Sequence, residues 1–194
     1  MNVQLTGGLY MRIAIGLLLA SVLLADGGFA AEVRAARAAD THISNLIPGA
    51  QRVGAGRLTW FGIHAYDAAL YAENARFVES APLALELTYA RNFKGASIAE
   101  RSMGEIRKLG LASETEAAEW LDILTGIFPD VRSGDRLAGV QAAAGPAQFF
   151  HNGRAIGSIT NERLKRAFFA IWLDPRTSAP DLRNRLIGTA SANK

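Results

Sequence analysis

The feature that most limits the fold of this chain is a switch in hydrophobic period that happens three times after residue 50. Residues 53–72 (VGAGRLTWFGIHAYDAALYA) mix β-branched and aromatic residues in loose alternation, with glycines at 54, 56 and 62 marking bends. They predict two strands joined at Gly62, or one long bent strand. Residues 83–91 alternate clearly: Leu83, Leu85, Leu87 and Tyr89 face one way, and Glu86 and Thr88 the other, as in a strand with one wet face. The period then becomes helical. Ala99, Met103 and Ile106 share a stripe that Gly110 ends. Ser113 and Glu116 form a capping box ahead of the stripe Ala117, Trp120, Leu121, Leu124, Ile127, which Pro129 closes.

Strands return near 135–142 and 147–151, with Gly145-Pro146 as the turn between them, and Asn152-Gly153 leads into RAIGSI. A strongly apolar helix follows, with Leu164, Ala167, Phe168, Ile171 and Trp172 on one face, and stops before Pro175. A short last helix has Pro180 in its first turn and Gly188 after it. Strands, two helices, strands and two helices make an α+β domain, with an antiparallel sheet covered on one face by helices. No repeat or low-complexity linker divides it.

Upstream, Arg12 precedes the apolar run Ile13 to Ala25, which Asp26-Gly27-Gly28 breaks. Gly28-Phe29-Ala30 offers small residues where a signal peptidase reads, so cleavage is expected after Ala30. The run is shorter than the roughly 20 residues that a membrane span needs, so no stable anchor is expected after cleavage. Met11-Arg12 would make a better start for such a leader than Met1. The expected organisation is a signal peptide at 1–30, a tether at 31–47 with a short strand near Ile43 to Leu46, and a domain at 48–190. A periplasmic or secreted location follows from that leader.

The chain has no cysteine, which removes disulfides, thiolate chemistry and a lipid-modified N-terminus. The net charge of +3 survives loss of the leader, because Arg12 and Asp26 cancel. Basic residues are scattered rather than gathered in a stripe, which argues against nucleic acid. His42, His64 and His151 have no spacing suited to a metal, and there is no GxSxG elbow or phosphate loop. No metal or cofactor is expected, and no protein partner can be named.

What remains is polar groups within apolar sequence. Arg57 follows two glycines that allow backbone or ligand to come close, and its guanidinium suits a carboxylate or phenolate. The same residue also fits an edge-strand arginine facing water. Tyr66 and Tyr71 are possible hydroxyl donors to the same anion, or strand tyrosines with the hydroxyl at the rim. Phe168, Phe169 and Trp172 fit either core packing or the lining of a cleft.

Three segments carry a resemblance: VGAGRLTWFGIHAYDAALYA, FPDVRSGDRLAGV and NGRAIGSITNERLKRAFFAIWLDPRTSAPDLRNRLIG. Together they resemble the chalcone isomerase-like family, in its bacterial exported branch, over about residues 48–188. The resemblance implies an open-faced β-sandwich with an apolar cleft between a large antiparallel sheet and its helix layer. It implies two activities for that cleft: closing a chalcone to a flavanone, or holding a fatty acid by an arginine and a tyrosine. Arg57 falls where both groups place their arginine, and Tyr66 where the fatty-acid binders place a tyrosine. The isomerases' catalytic tyrosine falls near Ile98, their asparagine near Gly104 or Glu105, and their late threonine or serine near Ile171. Without those groups little is left to steer a transition state.

The expectation is therefore an exported binder of a fatty-acid-like or aromatic small acid, without catalysis. Arg57 and Tyr66 would hold the head, and Phe168, Ile171 and Trp172 would line the tail. The alternatives are an intramolecular lyase or isomerase acting on a chalcone-like enone, and a non-catalytic envelope interaction domain.

Overall fold

In the computed structural model, residues 40–189 are described. The leader, its Ala30 cleavage point and most of the tether lie outside the described residues. The segment 53–72 forms two strands, β1 (Ala50–Trp60) and β2 (Ile63–Glu73), that turn at Phe61-Gly62. Four more strands follow: β3 (Leu83–Tyr89), β4 (Arg136–Gln141), β5 (Ala147–His151) and β6 (Arg154–Ile159). Each pairs antiparallel with its neighbour in sequence, giving a six-stranded meander in the order β1-β2-β3-β4-β5-β6. The sequence order of strands becomes the spatial order because every hairpin closes locally, and the one long excursion, between β3 and β4, carries two helices.

Five helices are described: α1 (Thr41–Leu46), α2 (Gly95–Lys108), α3 (Glu114–Ile127), α4 (Glu162–Leu173) and α5 (Pro180–Leu186). The capping box is present: the Ser113 hydroxyl accepts from the Glu116 backbone, and Glu116 accepts from the Ser113 N–H at 3.0 Å. Asn161 caps α4 by accepting from the backbone of Arg163 and Leu164. Helices α2 to α5 cover one face of the sheet. Ala99, Met103, Ile106, Trp120 and Leu124 are fully buried against Leu70, Leu85 and Phe149. Each large aliphatic or aromatic side chain buried this way contributes roughly 1.5–3 kcal/mol.

Three expectations give way here. The short strand near Ile43 to Leu46 is the helix α1, and the stretch assigned to a tether is part of the fold from Thr41 onward. Ile43 and Ile47 lie one helical turn apart and pack on Tyr71, Ala84, Val140 and Phe150, on the sheet face away from α2 to α5. For the same reason β3 has no wet face: Ala84 and Glu86 are buried beneath α1.

Glycines let α5 lie directly on β1. A Cβ on Gly54 would stand 2.0 Å from the Arg185 carbonyl oxygen, and one on Gly56 would stand 2.8 Å from Leu182 Cδ1. The close approach read from these two residues is thus made by the chain's own last helix.

Candidate functional site

A cavity of about 560 Å³ opens between the sheet and the helix layer. Its sheet wall is Leu58, Tyr66, Leu85, Leu87 and Tyr89, and α4 closes it with Phe168, Ile171 and Trp172. The floor is a packed aromatic cluster: the Phe168 ring meets those of Phe149, Phe169 and Trp172 edge-on, at centroid distances of 5.0, 5.5 and 5.4 Å. The structure therefore brings Tyr66, Phe168, Ile171 and Trp172 to one space.

It does not bring Arg57 there. Pleating decides this: Leu58 faces the cavity, so its neighbour Arg57 emerges on the other side of β1. The Arg57 Nε donates to Asp67 Oδ1 at 2.9 Å, with side chains 57% and 50% exposed. Tyr71 also points away, into the cluster beneath α1.

Tyr66 is the central polar group. Its hydroxyl oxygen accepts from Trp172 Nε1 at 2.9 Å, which leaves its own proton free for an acceptor in the cavity. Burial pushes its pKa up to about 12, so it stays a neutral donor at physiological pH. Tyr89 stands beside it, with ring centroids 5.9 Å apart, and burial pushes its hydroxyl up as well.

A second polar group comes from α2, where the resemblance points to Ile98 and Glu105 but not to Arg101. Ile98, Arg101, Ser102 and Glu105 recur at helical spacing and line the cavity wall beside the buried stripe Ala99, Met103, Ile106. Glu105 is buried, and Ser178 Oγ donates to its Oε2 at 2.6 Å. Lys108 Nζ reaches Oε1 at 3.0 Å, and Arg101 Nη2 reaches it at 2.8 Å. Burial alone would push this carboxyl up. The hydrogen bonds from Ser178 and Lys108, with the Arg101 charge, outweigh burial and hold it below the usual glutamate value. Lys108 and Arg101 both reach the Glu105 carboxylate, and Arg101 stands half-exposed at the cavity wall beside the exposed Glu100. The arginine–glutamate pair four apart was the signal available in the sequence.

Two of the other hydroxyls at the wall are spent internally, while those of Thr59, Ser97 and Tyr89 are not. Ser102 donates to the Ile98 carbonyl at 2.8 Å, and Thr177 to the Ile171 carbonyl at 2.6 Å. Ile98 and Ile171, where the resemblance places isomerase hydroxyls, present only hydrocarbon.

On the other face, the fold gathers three possible metal ligands that sequence spacing did not suggest. Ligand atoms of Asp40, His42 and Glu86 lie within 4.8 Å of one another. The chain's own cation already stands by the two carboxylates, because Arg136 Nη1 pairs with Asp40 and lies 3.7 Å from Glu86. Among the described residues, no helix is long and apolar enough to cross a membrane.

One antiparallel sheet, a helix layer on one face and an apolar cavity between them define an open-faced β-sandwich of the α+β class. A family profile described as chalcone isomerase-like matches residues 51–188, and the chain belongs to that family. The crystal structure of the Arabidopsis thaliana fatty-acid binding protein AtFAP1 has the same fold, at a TM-score of 0.60 and 13% identity, covering 75% of this chain and 90% of that one. No curated protein sequence matches.

Proposed function

We propose that this protein is an exported, non-catalytic binder of a fatty-acid-like or aromatic small acid. The observation that carries the reading is the Tyr66 hydroxyl, oriented by Trp172 and facing a largely apolar cavity with its proton unspent. A volume of about 560 Å³ is in the range of small-molecule sites. Tyr66 donates to the acid head, and Arg101, rather than Arg57, supplies the positive charge near the mouth. Phe168, Ile171 and Trp172 hold the tail. A fatty-acid binding protein among the proteins of the same fold favours this occupant. The spent hydroxyls of Ser102 and Thr177, the high pKa of Tyr66 and the lowered pKa of Glu105 favour holding over turnover, since none of these groups is tuned to exchange a proton near neutrality.

The test is mass spectrometry of lipids extracted from the purified protein, followed by titration with a labelled long-chain acid. Recovery of an acid and saturable uptake are expected. A protein that takes up neither aliphatic nor aromatic acids sinks the reading, and turnover of a chalcone-type enone above its spontaneous rate replaces it with the isomerase alternative. Export is tested separately, by the N-terminal sequence of the protein from an extracytoplasmic fraction, expected to begin at Ala31.

A further inference from the structure

The β1–β2 turn is built unlike its counterpart in the same sheet. Two two-residue turns join neighbouring strands with positive φ at both positions. One is Asn152-Gly153, at +50° and +80°, and the other is Phe61-Gly62, at +48° and +74°. Asparagine and glycine tolerate that backbone, and a phenylalanine does not favour it. The folding requirement alone therefore does not explain Phe61.

The side chains of the tip itself, Trp60, Phe61 and Ile63, are all apolar and exposed. Phe61 is 88% exposed, Trp60 54% and Ile63 49%, and among the described residues only Val78 is another large exposed hydrophobic. Trp60 and Phe61 stack with ring centroids 5.3 Å apart, and the Arg101 guanidinium lies 4.8 Å over the Trp60 ring. The cluster is also the rim of the cavity, because Thr59, Trp60 and Arg101 line its mouth.

We infer that this hairpin tip is a membrane-docking element, which inserts Phe61 and Ile63 among lipid chains and keeps Trp60 and Arg101 at headgroup depth. Shape and area select this occupant. Three side chains on a narrow turn expose on the order of 400 Å². A stable protein interface needs roughly 800 Å² per partner. A bilayer surface needs no complementary shape. It accepts a projecting aromatic tip, and it favours tryptophan and arginine at its boundary. The docking stands on the tip itself. Its use, placing the cavity mouth against the source of an amphipathic acid, rests on the function proposed above.

The probe is vesicles of phosphatidylethanolamine and phosphatidylglycerol carrying brominated chains, read by quenching of tryptophan fluorescence. Of the three tryptophans, Trp120 and Trp172 are buried, so Trp60 reports the tip even if another segment also meets lipid. Quenching is expected in the wild type and absent in Trp60→Phe. Phe61→Ser and Ile63→Ser should each weaken it at least tenfold, with unchanged circular dichroism, since both side chains lie outside the core. No quenching in the wild type, or equal quenching in both serine variants, overturns the proposal. A lipid-free change in Trp60 emission that grows with protein concentration, with a dimer mass by light scattering, also overturns it. Acid uptake from solution by Phe61→Ser separates the two readings. Retained uptake with no tip quenching in the wild type sinks the docking alone, and tip quenching with no uptake sinks the cavity ligand alone.

Discussion

Trp172 on α4 donates its indole N–H to the Tyr66 hydroxyl on β2 at 2.9 Å, across 106 residues of sequence. The bond ties the helix layer to the sheet at the cavity and fixes which way the phenol proton can go. Tyr66→Phe should weaken acid binding by about tenfold, because a hydrogen bond to a charged group contributes about 1.5–3 kcal/mol. It should also lower the melting temperature, since the buried indole N–H loses its acceptor. Titration with a labelled acid and a thermal melt check both.

Tyr66 also sets a pH expectation. Its folded pKa is raised to about 12, so the phenol remains a neutral donor through neutral and mildly alkaline pH. Acid affinity should show no step from this group between pH 7 and about pH 10, where an unburied tyrosine would ionise. A loss of affinity centred near pH 10 that disappears in Tyr66→Phe would contradict the burial argument.

The two arginines should behave oppositely. Arg57→Ala removes a solvent-facing partner of Asp67 and should leave acid uptake unchanged. Arg101→Gln removes the cation at the cavity mouth and should weaken uptake about tenfold or more, the scale of a charge-assisted hydrogen bond. Parallel titrations decide it, and a loss confined to Arg57→Ala would return the anchor to β1.

Glu105 should contribute to acid sensitivity. Its folded pKa is depressed below the ordinary 4.5, so its stabilising contribution is present above pH 4.5 and is lost as the pH falls through the lower folded value. Glu105→Gln should be less stable than wild type at pH 7, and the difference should shrink toward pH 3. Urea unfolding at the two pH values measures this.

Gly54→Ala should be among the most disruptive single-methyl changes in the chain. The added Cβ would stand 2.0 Å from the Arg185 carbonyl oxygen, and backbone cannot rotate away as a side chain would. A cost of about 1–3 kcal/mol is expected, or detachment of α5. Chemical denaturation reports the first and proteolysis near residue 180 the second.

The strands and long helices were legible because each buries one face and so writes a period of two or of about 3.6 into its residues. The cap at Ser113 and the turns at Gly62 and Gly153 were legible because their chemistry is local. Helix α1 was not: six residues with no side-chain cap carry too little pattern to separate a helix from a strand. Its place on the sheet also removed the wet face that β3 had suggested. At the site, Tyr66, Phe168, Ile171 and Trp172 were found from the sequence and do share a cavity, while Arg57 was assigned by its neighbours and not by its face. Arg101 was not legible because the adjacent stripe on α2 is the more apolar signal, and Glu105 was reached only through the resemblance, as the place of an asparagine.

By itself, then, the order of residues determined the strands, the longer helices, their turns and the antiparallel α+β architecture, since backbone geometry, capping and periodicity act over a few residues. Only the tertiary structure decided which side chains face the cavity. On a pleated strand, one residue separates the lined face from solvent, and on α2 a rotation of about 100° per residue separates the core from the cavity wall. Arg57 and Leu58 are neighbours in the chain and lie on opposite sides of the sheet, whereas Tyr66 and Trp172 are distant in the chain and share a hydrogen bond.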